Sequence, residues 1–289
     1  MKLSNKNKGI LFIILAAFGF SLMSACVRLS GDLPSIQKAF FRNAVALVFI
    51  TGIMLKQKIS FVPKKENLLF LLLRSSTGLI GMICNFYAID RLVLADANML
   101  NKLSPFFAIL FSIFLLKELP NIVQILGLIV AFVGSVLIIK PSFNNPDVIP
   151  AIVAVMGALG SGFAYTCVRK LGQKGENGSR VIFFFSLFST LFCLPFMLSG
   201  IGNITLKQYA CLVLAGCGGC LGQIGLTKAY FYAPAKEISV YDYSQVIFAA
   251  IFGFFLFSQT PDIYSVLGYI LICGAGIAMY VYNNREKAK

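Results

Sequence analysis

The chain has 289 residues, of which 58% are hydrophobic and only 12% charged, with a mean hydropathy of +0.84. A soluble domain is roughly 45–50% apolar and about 25% charged, so this composition excludes both a water-soluble globule and a disordered chain. Lysine and arginine number 25 against 11 acids, a net charge of +14, and histidine is absent, which removes histidine general-base chemistry and most zinc and haem sites.

A helix needs about 20 mainly apolar residues to cross a core roughly 30 Å thick. Runs of that kind cover 9–27, 33–55, 67–89, 95–116, 121–139, 148–168, 180–200, 207–231, 238–257 and 262–282. Pro34, Pro63, Pro120, Pro141, Pro146, Pro234 and Pro261 lie near their boundaries, where proline starts or stops a helix at little cost. The sequence therefore predicts an all-α polytopic membrane protein of ten transmembrane helices. Sixteen basic residues fall on the N-terminal side of the membrane and five (Arg28, Lys38, Arg91, Lys140 and Lys207) on the other, with four inside spans. That asymmetry predicts a plasma-membrane protein with both termini cytoplasmic. It also explains the positive charge without a nucleic-acid partner.

The chain matches itself at an offset of 141 residues. Gly19 falls on Gly160, and Cys26-Val27-Arg28 on Cys167-Val168-Arg169. Asp96 falls on Glu237, Phe107 on Phe248, Pro120 on Pro261 and Gly127 on Gly268. Five spans per copy is an odd number, so the second copy enters the membrane from the opposite side. We expect two inverted five-helix repeats, 1–141 and 142–289, forming together one membrane domain. The reuse of Cys26 in the second copy argues against its being a lipoprotein cleavage site.

Leu103-Ser104-Pro105-Phe106-Phe107, then Lys117-Glu118, then Gln124-Ile125-Leu126-Gly127 and Gly134 resemble the EamA-type branch of the drug/metabolite transporter superfamily. The second copy departs from this block, with Val246 in place of the proline and Gln259 in place of the acid. The resemblance implies secondary transport of small organic metabolites, commonly outward. It also implies a central cavity lined mainly by spans 1, 3, 4, 6, 8 and 9, with the last span as scaffold.

Polar groups inside a span are expensive and usually face a cavity or a partner. In span four, Asn98, Asn101, Lys102 and Pro105 stand at i, i+3, i+4 and i+7, one helical face. Three polar groups beside a helix-bending proline read as a cavity wall, with Pro105 as hinge. In span nine, Tyr241, Asp242, Tyr243 and Gln245 occupy the equivalent stretch. Three roles are open to Asp242: binding a substrate ammonium, exchanging a proton, or pairing with Lys102 or Lys228. Arg42, alone among apolar residues in span two, suits bidentate carboxylate binding. Asn85, Tyr165, Gln223 and Lys228 add polar lining to spans three, six and eight. Arg74 reads as an interfacial anchor, and Arg28 and Arg169 as equivalent snorkelling residues.

Gly216, Gly218, Gly219, Gly222 and Gly225 in span eight predict close helix approach or a local break. The glycines of spans five and ten predict that those two pack together. The eight cysteines lie in or at the ends of spans and behave as small apolar residues, with no metal set or catalytic group among them. No segment carries a phosphate-binding loop, so energy comes from a gradient. The expected function is a secondary-active exporter of amino acids or carboxylates by alternating access, without cofactor or catalytic residue. Its partners are a small-molecule substrate, protons as a coupling ion and the bilayer, and it works as a monomer or dimer. Two alternatives share the fold, a multidrug/cation:proton antiporter and a lipid-linked sugar flippase. The acid-free first span argues against the former.

Overall fold

The computed structural model describes residues 5–117, 119–140, 146–198, 204–232 and 239–286, which contain helices and no strands. The helices are α1 (Asn5–Leu29), α2 (Ser35–Lys56), α3 (Leu68–Arg91), α4 (Leu94–Asn101), α5 (Ser104–Leu115), α6 (Ile122–Ile139), α7 (Val148–Gln173), α8 (Gly178–Leu198) and α9 (Leu206–Tyr232). A 3-10 turn (Ser239–Tyr243) then leads into α10 (Ser244–Phe257), and α11 (Ile263–Glu286) ends the described chain. Nine stretches are long and apolar enough to span a bilayer, counting α4 and α5 as one; the tenth, Tyr241–Phe257, is shorter.

Two expected spans are not continuous helices. Span four breaks at Lys102-Leu103 into α4 and α5, and the described part of span nine is the 3-10 turn followed by α10. The break precedes Pro105 instead of centring on it, so Pro105 occupies the first turn of α5. Proline is tolerated there because the first-turn amides have no helical partner. The Ser104 hydroxyl donates to the carbonyl of Asn101, the acceptor that the amide missing at Pro105 would otherwise have used. Span eight, by contrast, runs unbroken through its glycines.

The main helix contacts join one half to the other: α1 with α9, α3 with α7, α2 with α8, and α6 with α11. Exchanging the halves maps this set onto itself. The repeat extends to atomic detail at the glycines. A Cβ on Gly19 of α1 would lie 2.6 Å from the Gly222 nitrogen and 2.9 Å from the Gly218 carbonyl oxygen of α9. In the mate interface, a Cβ on Gly160 of α7 would lie 3.4 Å from the Gly81 nitrogen and 3.0 Å from the Thr77 carbonyl oxygen of α3. Each residue here is 141 positions from its counterpart. Lys117 and Ser258, also 141 apart, both end their spans in the left-handed region at φ 57° and 52°. In lipid, helices associate through packing more than through water release, so small residues bring the backbones together.

Asn121 opens α6 with a capping box: its side chain accepts from the Gln124 backbone amide, and the Gln124 side chain accepts from the Asn121 backbone amide. That satisfies two otherwise orphaned donors. At the other end of α6, Lys140 pairs with Asp262 at 2.6 Å, tying span five to the start of α11, as the glycine spacing predicts. The loops before α3 and α8 meet at Glu176, which accepts from Asn67 at 2.8 Å and from Arg180. Burial pushes the Glu176 carboxyl up, but hydrogen bonds from Asn67, Arg180 and the Asn177 amide outweigh it and hold the group below its ordinary value.

Two basic residues depart from the surface roles the sequence suggested. Lys38 is fully buried, donating to both Asp90 oxygens at 2.6 and 2.7 Å and to the Gly31 carbonyl at 2.8 Å. Arg28 does not snorkel: it donates to the Ile89 and Leu92 carbonyls, neutralising the C-terminal end of α3. Replacing Gly19 with alanine should lower stability by about 1–3 kcal/mol, because its neighbours are backbone atoms that cannot yield. Gly274→Ala, where a Cβ meets nothing within 4 Å, should leave the melting temperature in detergent unchanged.

Candidate functional site

Lys102 follows the last residue of α4, and Asp242 lies two residues before α10 begins. A cation at a helix C-terminus and an anion at a helix N-terminus each meet the favourable end of a helix dipole. The two breaks face one another, and the Lys102 Nζ donates to Asp242 Oδ2 at 2.5 Å. The second oxygen of Asp242, Oδ1, is buried without a hydrogen-bond partner among the described residues. The carboxylate therefore holds an unused acceptor beside its lysine.

Beside the pair runs a polar network joining α1, α4 and α10. Asn98 Oδ1 accepts from the Gln245 amide at 2.8 Å and from the Ser24 hydroxyl at 3.1 Å. The Asn98 amide donates to the Leu94 carbonyl at 2.8 Å, and Ser21 donates to the Gln245 carbonyl at 2.7 Å. All four side chains are buried, and a network satisfied in this way rigidifies its surroundings. Sequence reading missed Ser21 and Ser24, because serines are unremarkable in an apolar helix. Their spacing with Gly19 and Phe20 was the available signal.

Arg42 of α2 and Arg74 of α3 converge on one aromatic ring, with guanidinium carbons 5.8 and 3.8 Å from the centroid of Phe185 in α8. Arg42 is buried, and among the described residues its side chain bonds only to the Asn43 side chain, at 2.9 Å. Arg74 was expected to be an anchor, yet it folds inward to this ring. Tyr165 of α7 lies within electrostatic reach of both arginines and of Asp242. Tyr165 itself is 51% exposed.

The other predicted residues divide. Asn85 is buried on α3 with its Oδ1 unpartnered, Asn101 is half-buried at the break, and Tyr241 is 40% exposed beside Asp242. Gln223 is half-buried on α9. Tyr243 instead packs its hydroxyl on α11, where a Cβ on Gly276 would meet it. Lys228 is exposed over the Phe12 ring at 5.3 Å and does not join Asp242. The Gln259 side chain, which replaces the acid of the first copy, accepts from the Leu94 amide at 3.0 Å and so caps α4 of the opposite half. Glu118, Lys236 and Glu237 lie outside the described residues. No group of three metal-ligating side chains occurs among the described residues.

Comparison with known proteins gives a consistent picture. The EamA-like transporter family matches twice, over residues 7–140 and 148–282. The pseudopaline exporter CntI of Pseudomonas aeruginosa is 33% identical over 96% of this chain and 98% of its own. An uncharacterised transporter of Helicobacter pylori is 27% identical, covering 93% of each chain. Human solute carrier family 35 member G1 is 24% identical over 97% of this chain and 81% of its own. A solved crystal structure with 14% identity superposes with a TM-score of 0.67, over 96% of this chain and 98% of that one; at that identity it speaks to the fold alone.

Removing the Asn98 side chain strands the buried Gln245 amide, while the Ser24 hydroxyl keeps its bond to the Phe20 carbonyl. Asn98→Ala should therefore destabilise the protein by about 1–3 kcal/mol. Asn101→Ala, which breaks no bond between the halves, should change the melting temperature little.

Proposed function

We propose, from the premise that this chain belongs to the EamA-like transporter family, that it exports small organic metabolites such as amino acids or carboxylates by alternating access. The observation that carries this reading is the meeting of two interrupted helices, one from each half, at the Lys102–Asp242 pair. Interrupted helices at a repeat interface are the usual frame of a transporter's substrate and ion sites. The names of the Pseudomonas relatives support the outward direction. The distribution of basic residues supports cytoplasmic termini.

In this reading the ion pair is a latch. A substrate carboxylate competes with Asp242 for Lys102, while a substrate ammonium takes the unused Asp242 oxygen. Either exchange removes the attraction that holds the two breaks together, and the glycine-packed pairs α1–α9 and α3–α7, each joining one helix from either repeat, are then free to rock against one another. Those pairs move as rigid units because their backbones touch. Protonation of Asp242 would release the same latch and so couple flux to a proton gradient. Separating the charges without a substitute is unfavourable, since each is partly withdrawn from water. The cargo thus supplies the free energy of opening only if its own charges replace those of the pair. A cationic drug is a poor fit, because Asp242 is already paired with Lys102, and Arg42 and Arg74 have no carboxylate partner among the described residues.

Lys102→Ala should abolish export from inside-out vesicles while leaving membrane insertion intact. Asp242→Asn should lose pH-driven flux but keep substrate counterflow. Wild-type rates in Lys102→Ala would refute the latch, and equal survival of both fluxes in Asp242→Asn would make that residue structural.

A further inference from the structure

The charges within the membrane-spanning helices do not balance. Lys38 is neutralised by Asp90, Lys102 by Asp242, and Arg28 by two helix-end carbonyls. Asp96 is held by the Tyr269 hydroxyl. Arg42 and Arg74 have no such partner: among the described residues no carboxylate lies within 4.0 Å of either. Among the described residues Arg42 makes one side-chain hydrogen bond, to a neutral amide, and none is seen for Arg74. The Nε of each is buried and unpartnered. Two like charges sharing one ring in a low-dielectric interior repel, and the cation–π contacts with Phe185 offset only part of that.

The fold nevertheless makes room for both. A Cβ on Gly78 would lie 2.5 Å from Arg74 Nη1, and a Cβ on Gly219 would lie 3.3 Å from Arg42 Nε. Gly78 and Gly219 are 141 residues apart and so occupy equivalent places in the two repeats. Each glycine leaves a notch against one arginine side chain, Gly78 in the first repeat and Gly219 in the second, and both guanidinium groups lie over the same Phe185 ring. An arginine needed only as an anchor would extend toward the nearer surface. These two instead lie over the ring of Phe185. Tyr165 interacts electrostatically with both arginines and with Asp242.

The geometry points to a dianion receptor: Arg42 and Arg74 bind two carboxylates of the transported molecule, one on each guanidinium fork. This rests on the transport reading above and narrows it. The pair at Lys102 and Asp242 is neutral as a unit, so the uncompensated charge of the region is that of the two arginines. A neutral zwitterion leaves that charge unanswered and a cation adds to it. A molecule with two or more carboxylates cancels it, and the planar guanidinium suits each carboxylate in a bidentate manner. An amine on the same molecule would meet the unused oxygen of Asp242.

The test is a thermal-shift titration of the purified full chain with glutarate, citrate, acetate and tetraethylammonium. A ligand that binds only the folded state raises apparent stability. Glutarate or citrate should raise the melting temperature at concentrations where acetate has little effect and tetraethylammonium none. Arg42→Gln and Arg74→Gln should each weaken the polycarboxylate response about 10- to 100-fold, the usual effect of losing a charge-assisted contact. Without ligand, both variants should melt at or above the wild-type temperature, because an unpaired buried charge has been removed. Arg42→Lys and Arg74→Lys keep the charge but lose the fork, and should bind with intermediate strength. Failure of both polycarboxylates to stabilise the wild type would overturn the proposal. So would glutamine variants that lose stability yet keep their response. If the arginine variants export normally while Lys102→Ala does not, the dianion assignment falls and the latch stands. If the arginines govern polycarboxylate binding but Lys102→Ala exports normally, the latch falls and the receptor stands.

Discussion

A lysine and an aspartate brought together inside a bilayer-spanning bundle must find partners, because neither lipid nor apolar side chains solvate them. Here they find each other, Lys102 from the first half and Asp242 from the second. Each sits where a helix stops or starts, so the free backbone groups of the breaks face the matching charge. The breaks in turn require neighbours that compensate the lost helical bonds. Ser104 meets the acceptor left by Pro105, and Gln259 caps α4 from the opposite repeat. The halves are thus bound to one another by the polar groups that interrupt them.

Around this polar centre the packing is made rigid by glycine. The α1–α9 and α3–α7 pairs approach backbone to backbone at sites related by the 141-residue repeat. Two further glycines, Gly78 and Gly219, leave space beside an arginine instead of a helix. One duplicated feature therefore serves two ends: close packing where the facing residue is small, and a seat for a charged side chain where it is long. The arginines themselves are not duplicated, since the equivalent positions are Phe183 and Ala215. Symmetry supplies the notches, and divergence of the two copies decides which are filled.

Much of the fold was legible in the sequence, because hydropathy and the internal offset are properties of long segments. The helical class and the two-repeat arrangement follow from them, and the family match agrees. The breaks were harder to read. Hydropathy sees spans four and nine as continuous, and Pro105 drew attention to itself although the turn lies just before it. Side-chain direction was the other failure. Lys38 and Arg74 were assigned to the surface from their distance to a span end, yet both turn inward, one to Asp90 and the other to Phe185. A long flexible side chain reaches more than one turn of helix, so position along the chain does not fix where its charge lies. Ser21 and Ser24 escaped notice because their importance comes from Asn98 and Gln245, far away in sequence.

The most direct measurement is the separation of Lys102 Nζ and Asp242 in an experimental structure of the full chain solved with saturating glutarate. Ligand density between the two breaks, with carboxylates on arginine or lysine and the pair parted beyond 4 Å, is the predicted result. Glutarate bound elsewhere, with the pair intact and the breaks closed, would contradict the idea that these charges separate to admit the cargo.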